Sequence, residues 1–120
     1  MGTHEELDVW KLSIDFVEEI YILTKDFPSD EKYGLTNQLR RASVSVPSNI
    51  AEGSARKSDK ENIQFLHIAL GSIAEIETQL IISDRLGFCD TSQAQQNIKI
   101  IKSKLINYLK YLKSLVKKSD

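Results

Sequence analysis

The 120-residue chain is 41% apolar and 28% charged, with sixteen basic against seventeen acidic side chains and a formal charge of −1. These proportions fit one globular domain and exclude a polybasic nucleic-acid binder. One cysteine, Cys89, excludes an internal disulfide framework and fits a reducing, cytoplasmic compartment. No uninterrupted apolar run approaches the roughly 18 residues of a bilayer span, and the acidic N-terminus lacks the regions of a secretory signal.

With only Pro28 and Pro47 to punctuate it, the sequence reads as an all-α domain over 1–120. A first helix is predicted over about 8–26. Val9, Leu12, Phe16, Ile20 and Leu23 recur at three- and four-residue steps, and Trp10, Ile14, Val17 and Tyr21 form a second row beside them. The two rows cover an arc of roughly 200°, against about 100° for a helix that buries one stripe. An arc that wide predicts contact beyond the chain's own bundle, with Trp10, Ile14, Val17 and Tyr21 as the candidate subunit interface. Phe27-Pro28 ends this helix, because the residue before a proline avoids helical dihedrals.

A second helix is predicted over about 30–57. Its stripe, Leu35, Leu39, Ala42, Val46, Ile50 and Gly53, is narrow and partly small, so its backbone is expected close to a neighbour. Pro47 deletes a hydrogen bond to Ser43 and predicts a kink. The row Gln38, Arg41, Ser45, Ser48, Glu52 and Arg56 is polar throughout. Ser58 with Glu61 makes a capping box for a third helix over about 59–86, ended by Gly87. Asp90 or Thr91 caps a fourth helix over about 91–117, whose stripe runs from Ala94 through Ile98, Ile101, Leu105, Leu109 and Leu112 to Val116. Four such helices with short connections predict an antiparallel up-down-up-down bundle.

Neutral overall, the charge is segregated along the chain. Residues 1–34 sum to −6, 35–60 to +3, 61–90 to −4 and 91–120 to +6. Lys99, Lys102, Lys110, Lys113 and Lys117 share one side of the fourth helix. That row is either a solvated face, a phosphate-contacting stripe, or the partner of a neighbouring subunit's acidic first helix. Among aromatic residues only Tyr111 accompanies it, so base stacking has little support there.

Metal chemistry is not indicated: His4 and His67 are the only histidines, and the residue three before His67 is Gln64 rather than a carboxylate. The glycines are dispersed, without a phosphate loop, and Cys89 has no nearby histidine. No cofactor and no small-molecule substrate is expected. Glu77 falls within the apolar arc of the third helix and needs a partner or a neutral form. Arg40 and Arg41 are the nearest candidates in the pattern, and a buried Glu77–Arg41 ion pair is predicted.

Several stretches carry a resemblance. They are Leu7-Asp8-Val9-Trp10-Lys11, Phe27-Pro28, Glu31-Lys32-Tyr33-Gly34-Leu35 and Gln38-Leu39-Arg40-Arg41-Ala42. The run Val46-Pro47-Ser48-Asn49-Ile50-Ala51-Glu52-Gly53 and the segment Glu75-Ile76-Glu77-Thr78-Gln79-Leu80 continue it. Over about residues 7–88 the chain resembles the four-helix-bundle proteins encoded within intervening sequences of bacterial 23S rRNA genes, also labelled ribosomal-protein-like. The resemblance implies a ring-shaped homopentamer without enzymatic activity. A related branch, the accessory variability protein of diversity-generating retroelements, binds nucleic acid and a reverse transcriptase, and is strongly basic.

Three functional expectations follow. The first is a non-catalytic homo-oligomer whose partners are further copies of itself and RNA or an RNA-processing protein, with no membrane. Its nucleic-acid contacts are expected at Arg40, Arg41, Arg56, Lys57, Lys99, Lys102, Lys110 and Lys113. The second is an enzyme with a site at a subunit junction, built on Glu52, Glu75 or Glu77 with Arg41. The third is a purely structural oligomer.

Overall fold

The computed structural model describes residues 3–119, and it is helical almost throughout. Four helices follow in order: α1 (Asp8–Thr24), α2 (Leu35–Ser54), α3 (Asp59–Arg85) and α4 (Ser92–Ser119). α1 packs on α2, α2 on α3, α3 on α4 and α4 on α1, while neither diagonal pair brings Cα atoms within 8 Å. The bundle is therefore square in section, and elongated, at 51 × 20 × 19 Å. Its core is a column of fully buried Ile20, Leu39, Ile50, Leu66, Ile73, Ile76, Leu80, Ile98, Ile101 and Leu105.

The helix ends differ from expectation where local chemistry competes with periodicity. α2 starts at Leu35 rather than near Asp30. Ser29–Glu31 forms a 3-10 turn, Gly34 has non-helical dihedrals, and Glu31 Oε1 then accepts the Leu35 N–H at 3.1 Å to cap the helix. α2 also stops at Ser54, three residues short, but runs without interruption through Pro47. α4 continues to Ser119, past its predicted end near residue 117.

The predicted capping box is present: Ser58 Oγ accepts the Glu61 N–H and donates to Glu61 Oε2, both at 3.2 Å. Gly87 ends α3 with φ +76°, and the Phe88 N–H donates to the Ser83 carbonyl at 3.0 Å across the turn. This places Phe88 against Phe27, ring centroids 5.4 Å apart, tying the two loops at that end of the bundle. At the start of α4, Asp90 Oδ1 accepts the Ser92 N–H and the carbonyl of fully buried Thr91 accepts the Gln95 N–H, both at 2.9 Å. The Thr91 hydroxyl lies 3.0 Å from both the Leu80 carbonyl and Asp84 Oδ2.

α3 is long and apolar enough, by length and composition alone, to cross a bilayer. Here one face of it builds the core, through Leu66, Ala69, Ile73, Ile76 and Leu80.

Candidate functional site

The broad arc of α1 divides between two neighbours. Val9, Phe16 and Ile20 enter the core, whereas Trp10, Ile14 and Val17 reach a groove between α1 and α2. Val44, Pro47 and Ala51 form its opposite wall, and the groove encloses about 360 Å³. Ile14 and Val44 remain 36% and 40% exposed, and Trp10 is held by an edge-on contact with His4 at 5.1 Å. Tyr21, expected on the same face, lies outside the groove, with the Arg40 guanidinium 4.6 Å above its ring.

The basic candidates do not form one patch. Arg40 is committed to the fold: its Nε donates to Thr24 Oγ1 at 2.9 Å and its Nη2 to the Tyr21 carbonyl at 3.4 Å. Arg56 stacks over Phe65 at 4.6 Å and meets Glu52 at 3.8 Å. Lys102 is paired with Glu77. Arg41, Lys57, Lys99, Lys110 and Lys113 are exposed and carry no ion pair among the described residues. Arg41 lies on α2 and the free lysines at 99, 110 and 113 on α4, across the diagonal of the bundle.

The expected Glu77–Arg41 pair is not formed. Glu77 sits at the α3–α4 edge, 24% exposed at its side chain, and its Oε1 accepts from Lys102 Nζ at 3.3 Å. The apolar arc of α3 is wider than the face it buries, so Glu77 marks the arc's edge, and α4 rather than α2 covers that edge. Arg41 instead lines the α2–α3 seam with Glu75, Ser45, Ser72 and Gln79. The carboxylates of the enzyme alternative are consequently dispersed within one chain: Glu52 with Arg56, Glu77 with Lys102, and Glu75 in the seam. The seam is bridged by hydroxyls, Ser45 and Ser72 standing 2.8 Å apart, and by Gln79 Nε2 donating to Gln38 Oε1 at 3.3 Å. Among the described residues no group of three His, Cys, Asp or Glu side chains is placed to hold a metal.

A second concavity, of about 450 Å³, lies at the end of the bundle where the α2–α3 corner meets the last turns of α4. Asn62 is buried beneath it; its Nδ2 donates to Tyr108 Oη at 3.3 Å, and its Oδ1 has no partner. A Cβ on Gly53 would collide with that oxygen, so the small residue admits the amide. Asn62 escapes a reading based on apolar periodicity. Its signal is register: it stands four residues before buried Leu66 and seven before buried Ala69.

Beside α1, an acidic cleft holds Asp15, Glu18, Glu19, Asp26, Asp90 and Cys89. Burial, with the negative charges of Asp84, Asp26 and Asp90, pushes the Cys89 thiol above its ordinary range. Asp90 is held below the usual carboxylate range, because its Oδ1 accepts the Ser92 N–H at 2.9 Å.

Comparison with known proteins agrees with this architecture. A family model of the 23S rRNA-intervening sequence protein matches residues 5–110. A crystal structure from Bacteroides thetaiotaomicron, described as a protein of unknown function from the S23 ribosomal protein family, superposes with a TM-score of 0.76. It is 23% identical, and the alignment covers 85% of this chain and 98% of that one. No curated protein matches the chain significantly. The chain belongs to the 23S rRNA-intervening sequence protein family.

Proposed function

We propose that this member of the 23S rRNA-intervening sequence protein family is a non-catalytic, cytoplasmic protein that assembles into a homo-oligomeric ring through the face formed by α1 and α2. One observation carries the reading: Trp10, Ile14, Val17, Val44, Pro47 and Ala51 make a single apolar strip across two helices, with Ile14 and Val44 left in solvent. Apolar strips of this kind on small domains mark interaction surfaces.

A ring needs two different faces per subunit, since head-to-tail contacts must close on themselves. The α2–α3 seam is the candidate for the second, where Ile82 is 40% exposed on the stretch that Glu75 also lines, and where Arg41 and Glu75 carry no ion pair among the described residues. Adjacent faces of a square bundle diverge by about 90°, which closes a ring of four, whereas a five-membered ring requires roughly 108°. Five subunits, the number the family resemblance implies, need the two faces to splay slightly wider than a square section does, and in either ring α2 turns toward the axis. The purely structural oligomer shares this assembly and differs only in having no further partner.

An RNA partner is favoured by a separate observation, the exposed Lys99, Lys110 and Lys113 on α4, which carry no ion pair among the described residues. α4 lies diagonal to α2, so this row faces the outside of such a ring. Filter binding to structured RNA should show affinity falling steeply with salt, and Lys110→Glu with Lys113→Glu should reduce it. Absence of binding at low salt removes the RNA partner and leaves the assembly untouched.

Assembly is tested by Ile14→Glu with Val44→Glu, measured by light scattering. The double variant should fall to 13.6 kDa with its helical circular dichroism intact. If it retains the mass of the unaltered protein, the α1–α2 face is not the interface.

A further inference from the structure

α3 carries little charge on the side it turns to water. Between Asn62 and Ser83 its only carboxylates are Glu75 and Glu77, it has no lysine or arginine there, and Glu77 is engaged by Lys102. A helix that buries one stripe ordinarily sets charged and polar residues opposite it. Yet only 28% of the most apolar eighteen-residue stretch of α3 is buried. Ile68, Glu75 and Ile82 stand at seven-residue steps on one exposed row, Ile68 at 53% exposure. Between the two isoleucines lie Gly71, Ala74 and Thr78, all exposed. A Cβ on Gly71 would meet nothing within 4 Å. Glycine inside a helix is destabilising relative to alanine, and no contact within the chain requires it here. What it offers is a backbone that a second helix can approach closely.

This strip continues across the seam onto α2, where Leu35 lines one concavity with Gly71 and Ile82, and Arg41 lines the next with Glu75. The Trp10 groove, on the adjacent face, is its counterpart. The groove is a hollow with apolar walls, and Glu18 is the one acid that lines it. Glu18 and Arg41 are both exposed, and neither makes an ion pair among the described residues. Two copies meeting through these faces bring isoleucine to an apolar hollow and a cation to an anion. Glu75 is not stranded by such a contact. Lys11 and Lys25 stand two turns to either side of Glu18, exposed and likewise without an ion pair among the described residues.

We infer that the Trp10 groove of one copy is filled by the α3 strip of a second copy. Ile68 and Ile82 supply the apolar filling, Gly71 lets the helices approach, and Arg41 pairs with Glu18 of the partner subunit. The contact joins two different faces, so it is heterologous and propagates from copy to copy until a ring closes. The inference rests on the α1–α2 interface proposed above and names what occupies it.

Light scattering of the full chain carrying Gly71→Trp, alongside the unaltered protein, is the first test. The indole meets open space within the chain, so helical circular dichroism should hold while the mass falls toward 13.6 kDa. Charge reversal is the second. Arg41→Glu and Glu18→Arg should each weaken association by about tenfold or more, because each sets like charges face to face. The two together should restore it, a recovery that a general effect of surface charge would not give. If Ile14→Glu with Val44→Glu dissociates the protein while Gly71→Trp does not, the α1–α2 face is an interface and the α3 strip is not its occupant, which overturns the inference alone. A doubly reversed variant no better associated than either single one overturns the pairing of Arg41 with Glu18. A monomeric unaltered chain overturns the underlying reading and this inference together.

Discussion

Arg40 shows how far one side chain's role depends on what surrounds it. On the sequence it stands beside Arg41 as a cation available to RNA, yet in the bundle it reaches across to α1, bonded to Thr24 and stacked on Tyr21. A half-buried guanidinium so engaged stabilises the α1–α2 pair, so Arg40→Ala should cost about 1–2 kcal/mol in denaturant unfolding. RNA affinity, if the α4 lysines provide it, should stay unchanged in that variant. Arg41, exposed and unpaired one residue later, should show the reverse pattern of little stability loss.

Cys89 has the opposite character, a thiol kept protonated. Burial first, and then Asp84, Asp26 and Asp90, disfavour the thiolate, which is the reactive form. Iodoacetamide should therefore modify Cys89 several-fold more slowly in the folded protein than in the unfolded chain at the same mildly alkaline pH. The linkage has a definite sign: a raised folded pKa favours the folded state fully below the unfolded thiol's pKa. That contribution is lost as pH rises through the folded value.

Among the elements, the α2–α3 pair is the tightest, and small residues make it so. A Cβ on Gly53 would collide with the Asn62 side chain and come within 3.1 Å of Phe65 Cβ. Gly53→Ala should destabilise by about 1–3 kcal/mol through overpacking. Gly87→Ala should cost about 1–2 kcal/mol for a different reason, since an L-residue there must adopt φ +76° with ample space around it. Thermal melts of the two variants separate the mechanisms if a compensating Asn62→Ala recovers stability in the first alone. At the start of α4, Asp90 is held low by the Ser92 N–H. Its contribution is present above the unfolded carboxylate's pKa and lost as pH falls through the folded one.

The four helices and the capping box were legible because period, cap residues and Gly87 agree with one another. Element ends were less so: nothing in the period of α2 reveals that Glu31 caps it from a 3-10 turn. Glu77 was misassigned for a related reason. Periodicity gives the angular position of a side chain but not which helix covers that angle, and α4 supplied Lys102 where α2 had been expected to supply Arg41. Asn62 was missed because a polar residue in a buried register interrupts an apolar count rather than adding to it.

The whole molecule is a rod with more surface than its mass suggests. Its 7365 Å² of accessible area exceeds the roughly 6,600 Å² expected of a folded monomer this size. Elongation accounts for part of the excess, and exposed apolar side chains on α1, α2 and α3 are a visible share of it. The width of the α1 arc announced this in the sequence, and Trp10, Ile14 and Val17 do line one groove. The opposite wall, Val44, Pro47 and Ala51, could not be paired with them before α2's orientation was known.

Sedimentation equilibrium of the unaltered chain at micromolar concentration addresses the self-association claim most directly. A single species at a small integer multiple of 13.6 kDa, five being the multiple the family resemblance favours, is the predicted result. A stable 13.6 kDa monomer across that range would contradict it, leaving the α1–α2 groove without its proposed occupant.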